Sequence, residues 1–221
     1  MVQGKSFSAS DGVSVRFNIS GVEIDKSIPC VIFILPFGFK LDATTEFFPF
    51  FESDFNIVAW ESRLILDEEN DIFSKDDLLL ERHSYDMLEL CNHLDVKQVH
   101  VVGYCSGAGV ALMAYKLMPK LFLTVSLIHG EYALHDIENC YTNFAQDVDS
   151  ILVLSSISEK NAKKIIEKLD VSDSGSLLEL SCKISRPYNK GKYLQKYAIN
   201  YLNYKNVDFL ELAANVKVPA I

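Results

Sequence analysis

Apolar and polar residues alternate from Lys5 to Ser10 and again from Val13 to Ile19, on either side of Asp11-Gly12. That pattern around an Asp-Gly turn predicts a β-hairpin. Cys30–Leu35 and Asn56–Trp60 are continuous apolar runs, as expected of strands covered on both faces. Between them, Asp42 to Glu52 carries Phe47, Phe48, Phe50 and Phe51 in a predicted short helix, with rings suited more to a core than to a ligand pocket. Leu78–Leu94 repeats its apolar residues at helical spacing, Gln98–Gly103 reads as a strand, Ala108–Leu117 as an apolar helix ending near Met118-Pro119, and Phe122–Ile128 as the next strand. Strand and helix in strict alternation predict an α/β fold, a mostly parallel sheet with helices on both faces.

From Glu131 the rhythm changes. Charged Glu159–Leu169 and tyrosine-rich Tyr193–Tyr204 read as helices, and Asn215–Ile221 reads as the approach to another buried strand. The expected organisation is a core over residues 1–130, a helical cap inserted over 131–213, and the start of the next core strand at 214–221. Ser172–Ser176 is expected to be a local loop within the cap, and no internal repeat is present.

Composition narrows the setting. The 221 residues are 49% hydrophobic and 23% charged, an ordinary globular balance. No run approaches the roughly 20 apolar residues of a membrane-spanning helix, and the polar start, Met1 to Gly12, has no signal-peptide core. Five widely spaced cysteines without a Cys-x-x-Cys pair argue against a disulfide framework and a structural zinc site. A soluble, cytoplasmic protein without membrane association, metal or cofactor is expected. The net charge of −9 argues against a nucleic-acid partner. Yet Ile151–Asn206 holds ten Lys/Arg against five Asp/Glu, so it carries +5 on a body of −14. Such a segment reads as a solvated helix face or as a receiver of an anionic partner.

The chemistry is concentrated at Gly103-Tyr104-Cys105-Ser106-Gly107, which follows a strand and opens a helix. A nucleophile between two small residues at that junction is a nucleophile elbow. Its strained turn needs glycine where a Cβ would meet neighbouring backbone, and the helix dipole is expected to lower the thiol pKa of Cys105. Ser106 fits poorly as a rival nucleophile, because the pattern shifted by one residue puts Tyr104 at a small position. Ser106 is instead expected to offer its backbone N–H to an oxyanion.

These residues resemble the α/β-hydrolase superfamily over nearly the whole chain. The Gly-Tyr-Cys-x-Gly box is similar to that of its cysteine-dependent members, dienelactone hydrolases and polyhydroxyalkanoate synthases, although Gly107-Ala108 stands where those commonly carry two glycines. The capped layout is closer to the superfamily's hydrolases and thioesterases. In Leu35–Asp42, Gly38 matches the glycine of the family's His-Gly loop and Phe37 replaces its histidine. The resemblance implies a second oxyanion N–H from Gly38 or Phe39. Glu61-Ser62-Arg63 keeps the arginine of a family turn that reads Asp-x-Arg-Gly.

The family order places the catalytic histidine after the last strand. His83, His93 and His100 are expected to pack or face solvent, and His135 and Asp136 to begin the cap. His129-Gly130-Glu131 falls on the active-site edge, where Glu131 is a candidate acid and His129 lines the pocket with Phe37 and Tyr104. The usual acid and histidine positions are expected beyond Ile221.

The implied reaction is acyl transfer through an acyl-cysteine on a small-molecule thioester, as a thioesterase or acyltransferase. The basic cap would suit an acyl-carrier protein or the phosphates of coenzyme A, and the Phe47–Phe51 loop and cap tyrosines could hold an acyl chain. The alternatives are a carboxylic-ester or lactone hydrolase, or a hydrolase-fold binding module without activity.

Overall fold

The computed structural model describes residues 4–67, 73–132, 142–169 and 186–221. His135, Asp136 and the Ser172–Ser176 loop lie outside the described residues. The described chain divides into two compact units. The first comprises Met1–Arg63, Leu80–Tyr132 and Phe209–Ile221; the second comprises Leu64–Leu79 and Ala133–Asp208.

The first unit is built on six strands: β1 (Lys5–Ser8), β2 (Ser14–Ile19), β3 (Cys30–Ile34), β4 (Asn56–Trp60), β5 (Val99–Tyr104) and β6 (Phe122–Ile128). Their spatial order is β1-β2-β4-β3-β5-β6. β1, β2 and β4 pair antiparallel, and β4, β3, β5 and β6 run parallel. The hairpin turns at Gly12, whose φ of 86° suits a residue without Cβ. Every residue of β4 is buried: Ile57–Trp60 is an apolar run, and the Asn56 side chain is hydrogen-bonded to the backbone of Asp25 and Ile28.

Two helices flank the sheet's centre: α1 (Leu80–His93) and α2 (Ser106–Leu117). Ten consecutive residues of α2, Ser106 to Tyr115, are buried. Ala108, Gly109, Ala111 and Ala114 keep the helix thin enough to be covered all round. α2 begins two residues earlier than the apolar pattern suggests, directly after Cys105, because Ser106 and Gly107 already have helical hydrogen bonding.

The segment expected as one short helix is two 3-10 pieces, Leu41–Glu46 and Phe48–Phe50. Pro49 lacks an N–H and its ring crowds the preceding turn, so the helix cannot run through. Phe48 is buried, and the Phe47 ring lies 4.4 Å from that of Phe33, so both join the core around Leu35 and Ile57. Phe50 and Phe51 face solvent.

Arg63 anchors the first unit from within. It is 3% exposed, donates from Nε and Nη2 to Asp86 at 2.9 and 2.8 Å, and donates to Asp11 at 2.7 and 3.1 Å. One guanidinium thus joins the hairpin turn, the segment after β4, and α1. Pro219–Ile221 runs parallel to β6: the Val125 N–H donates to the Pro219 carbonyl and the Ile221 N–H to the Val125 carbonyl. The backbone pairing expected of a next strand is in place there, while Ile221 stays 94% exposed.

Among its described residues the second unit contains three helices of eight or more residues: α3 (Asn143–Ile157), α4 (Glu159–Lys168) and α5 (Gly191–Lys205). Thr142 and Ser158 cap α3 and α4 by accepting the N–H groups of Ala145 and Asn161. Leu152, Ala162, Leu194 and Ala198 form the core, with Tyr188, Tyr197 and Tyr201 packed against it. Lys196 is buried; its Nζ donates to the Asp67 carbonyl at 3.1 Å and stands over the Phe73 ring, which binds Leu64–Leu79 to this unit. A last short helix, α6 (Phe209–Ala214), returns to the first unit and packs on α2. No helix among the described residues is long and apolar enough to cross a membrane.

Candidate active site

Parallel pairing brings the ends of β3, β5 and β6 to one edge, with Ile34 beside Gly103 and Gly103 beside Leu127. Cys105 follows β5 immediately. Its φ of 53° and ψ of −123° lie in a region that L-residues rarely adopt. The turn is held by the Cys105 N–H, which donates to the Ile128 carbonyl at 2.9 Å, and by the Ala108 N–H donating to the Cys105 carbonyl at 3.0 Å.

Steric geometry explains the two glycines. A Cβ on Gly103 would lie 2.7 Å from Ala108 Cα and from the Gly107 carbonyl oxygen. A Cβ on Gly107 would lie 2.3 Å from the Ile34 carbonyl oxygen. Helix, turn and two strands approach so closely that only hydrogen fits at both positions.

The loop after β3 sits beside the elbow. Pro36 to Phe39 form a turn closed by the Phe39 N–H donating to the Pro36 carbonyl at 3.2 Å, with Gly38 at φ 79°. The Phe37 N–H donates to Ser106 Oγ at 2.9 Å in a buried contact. Of the loop's amides, Phe37 and Phe39 are thereby engaged within the protein. The Phe37 ring is buried against His83, centroids 4.8 Å apart, and His83 itself is 1% exposed. His83 thus packs inside the protein, whereas His93 is exposed and stacks on Phe7.

Tyr104 and His129 are exposed at the sheet edge and meet edge to face at 6.3 Å. His129 has a positive φ of 49°, the second strained residue of this edge. Glu131, two residues on, is exposed. No histidine or carboxylate among the described residues hydrogen-bonds the Cys105 sulfur.

The Cys105 thiol departs from the helix-dipole expectation: its pKa is raised, not lowered. Burial is the largest cause, the Ser106 N–H pulls the other way, and the negative charge of Glu131 pushes it up further. The dipole's benefit lives in the one N–H that reaches the sulfur, and desolvation outweighs it.

No protein-family model and no curated protein matches the sequence. Solved structures do resemble the fold. An α/β-hydrolase enzyme from a Medee basin deep-sea metagenome library superposes with a TM-score of 0.72 at 13% identity, covering 98% of this chain and 77% of its own. The enol-lactonase of Burkholderia xenovorans gives 0.71 at 12% identity, covering 98% and 79%. An esterase from Exiguobacterium antarcticum gives 0.69 at 12% identity, covering 99% and 79%. The chain has the α/β-hydrolase fold.

In this α/β-hydrolase fold the elbow residues were recognisable from the sequence, since glycine spacing and strand-to-helix order are local. The Ser106–Phe37 bond and the tilted His83–Phe37 ring contact were not, because they join residues 69 and 46 positions apart. Pairing of β3 with β5 brings Ser106 to Phe37, and α1 carries His83 to the Phe37 ring. Among the described residues no group of three or more His, Cys, Asp or Glu is placed to hold a metal ion.

Proposed function

We propose that the protein is an acyl-transfer enzyme, a thioesterase or acyltransferase, acting on a thioester through an acyl-Cys105 intermediate. The observation that carries this reading is the strained Cys105 turn, flanked by glycines that no other residue could replace without colliding with backbone. Strain of that kind costs on the order of 1–3 kcal/mol and clusters at active sites.

The Cys105 thiolate attacks the carbonyl carbon, forming a carbon–sulfur bond while the carbonyl oxygen gains negative charge. The N–H groups of Ser106 and Gly38 are the proposed donors to that oxyanion. Gly38 is preferred to Phe39 because the Phe39 N–H already closes the turn onto Pro36. Collapse expels the leaving thiolate, which takes up a proton, and water or another acceptor then takes the acyl group. The raised thiol pKa means that a base must remove the Cys105 proton as attack proceeds. Glu131 is the proposed acid. A bare carboxylate opposes thiolate formation, so its useful role is to orient and balance a protonated histidine. His129 and Tyr104 border the substrate site, with Phe37 beneath the loop.

A thioester suits a thiol because exchange between the two is nearly isoenergetic, and the acyl-cysteine stays activated towards a second acceptor. The basic Ile151–Asn206 segment would meet the phosphates of coenzyme A or an acidic acyl-carrier protein. Structural neighbours named as an enol-lactonase and an esterase favour a second reading, ester or lactone hydrolysis.

Intact-protein mass spectrometry after incubation with the acetyl thioester of N-acetylcysteamine, or with p-nitrophenyl acetate, tests both. One acetyl adduct, formed faster from the thioester and abolished by Cys105→Ala, is the expected result. Faster acylation by the oxyester would support the second reading. No adduct from either would overturn both and leave a hydrolase-fold binding module.

A further inference from the structure

We infer that the Ser106 side chain is a positioning residue that sets the spacing of the oxyanion donors. This rests on the reading that Cys105 is acylated. Ser106 is the first residue of α2, so its own N–H points towards the nucleophile, where it already acts on the Cys105 sulfur. Its Oγ reaches the other way and accepts the Phe37 N–H at 2.9 Å. Phe37 immediately precedes Gly38, the proposed second donor. One side chain therefore links the residue carrying one donor to the loop carrying the other.

Three features suit the contact to this role. It is buried, so water does not compete for the bond, and its geometry is kept. The turn around it is closed by the Phe39 N–H on Pro36, so displacement of Phe37 carries Gly38 along. The Phe37 ring is seated on buried His83, which leaves the loop's far side no freedom to compensate. Ser106 is also unsuited to be a second nucleophile, since its oxygen is buried and engaged with the loop.

The alignment matters only where charge develops on a carbonyl oxygen, and the test exploits that. Iodoacetamide alkylates Cys105 by displacement at a saturated carbon, without an oxyanion, whereas the acetyl thioester of N-acetylcysteamine acylates it through one. Both rates are measured on the whole chain at one alkaline pH, so the thiolate fraction is common to the two reactions. Ser106→Ala is expected to lower acylation by about 10- to 100-fold, the range for a lost or misplaced donor. Alkylation of Cys105 and the cooperative melting of the protein are expected to persist. Ser106→Thr, which keeps the hydroxyl, is expected to recover most of the acylation rate. Equal acylation by wild type and Ser106→Ala would overturn the inference, as would a parallel fall in both reactions, which would mark a general disturbance of the elbow. If the wild-type protein is alkylated but never acylated, the proposed function fails instead, and the two failures are distinguishable.

Discussion

A single methyl group at Gly107 tests whether the elbow is built as described. In a helix, glycine to alanine ordinarily stabilises by about 1 kcal/mol, because alanine loses less backbone entropy. Here the new Cβ would stand 2.3 Å from the Ile34 carbonyl oxygen, about 1.1 Å short of the 3.4 Å at which ordinary contact begins. The obstacle is backbone of β3 in the sheet interior, with the Ile34 carbonyl carbon at 3.0 Å, so no flexible side chain can swing away. Either α2 lifts from the sheet by about an ångström or β3 bends. Overpacking of a well-filled core costs about 1–3 kcal/mol and sometimes more, and this overlap belongs at the upper end. Offset by the helix-propensity gain, Gly107→Ala should lose about 2 kcal/mol. At about 2–4 °C per kcal/mol for a chain of this size, the melting temperature should drop by roughly 4–8 °C. Trp60, the protein's single tryptophan, is 3% exposed in β4 of the same sheet, so its fluorescence reports the relevant unfolding. Gly12→Ala is the control. Nothing lies within 4 Å of a Cβ there, and only its φ of 86° opposes alanine, so it should cost about 1 kcal/mol. If Gly107→Ala melts with or above the wild type, the close approach of α2 to β3 is wrong.

Further outcomes follow from the site and the core. The alkylation rate of Cys105 should rise with pH to an inflection above that of a free thiol. Glu131→Gln should move it downwards, because removing a negative charge eases thiolate formation; a wild-type inflection at or below the ordinary thiol value would contradict the first statement, and an unmoved inflection in Glu131→Gln the second. Burial pushes the thiols of Cys30 and Cys91 up to about 12, so peptide mapping after iodoacetamide treatment of the native protein should find both unmodified. Labelling of either in the folded protein would show that the thiol is not buried as described. Arg63→Ala leaves Asp86 buried without its partner and should destabilise by about 3–5 kcal/mol. Urea titration followed by Trp60 fluorescence would measure it, and a loss under 1 kcal/mol would mean that the ion-paired cluster contributes little.

The strands and helices were legible in the sequence because their signals are local. Continuous apolar runs marked β3 and β4, the strand–helix alternation marked β6, and the Asp11-Gly12 turn marked the hairpin. Two glycines around Cys105 marked the elbow, since a strained turn restricts which residues can flank it. Segment interiors were read better than ends: Pro49 split one expected helix into two 3-10 pieces, and α2 started at Ser106 instead of Ala108. Leu64–Leu79 belongs with the helical unit, a membership that its sequence does not signal.

Tertiary structure alone decided the state of the Cys105 thiol and of the loop beside it. The helix dipole is a property of one element and argues for an acidic thiol. Burial and the charge of Glu131 depend on what the fold places around the sulfur, and they win. Likewise Gly38 and Phe39 are equivalent candidates in the chain, yet the turn onto Pro36 engages the Phe39 N–H. Spacing along a chain specifies which residues can form a turn; desolvation and hydrogen-bond partners come from residues distant in sequence, so only the folded arrangement settles them.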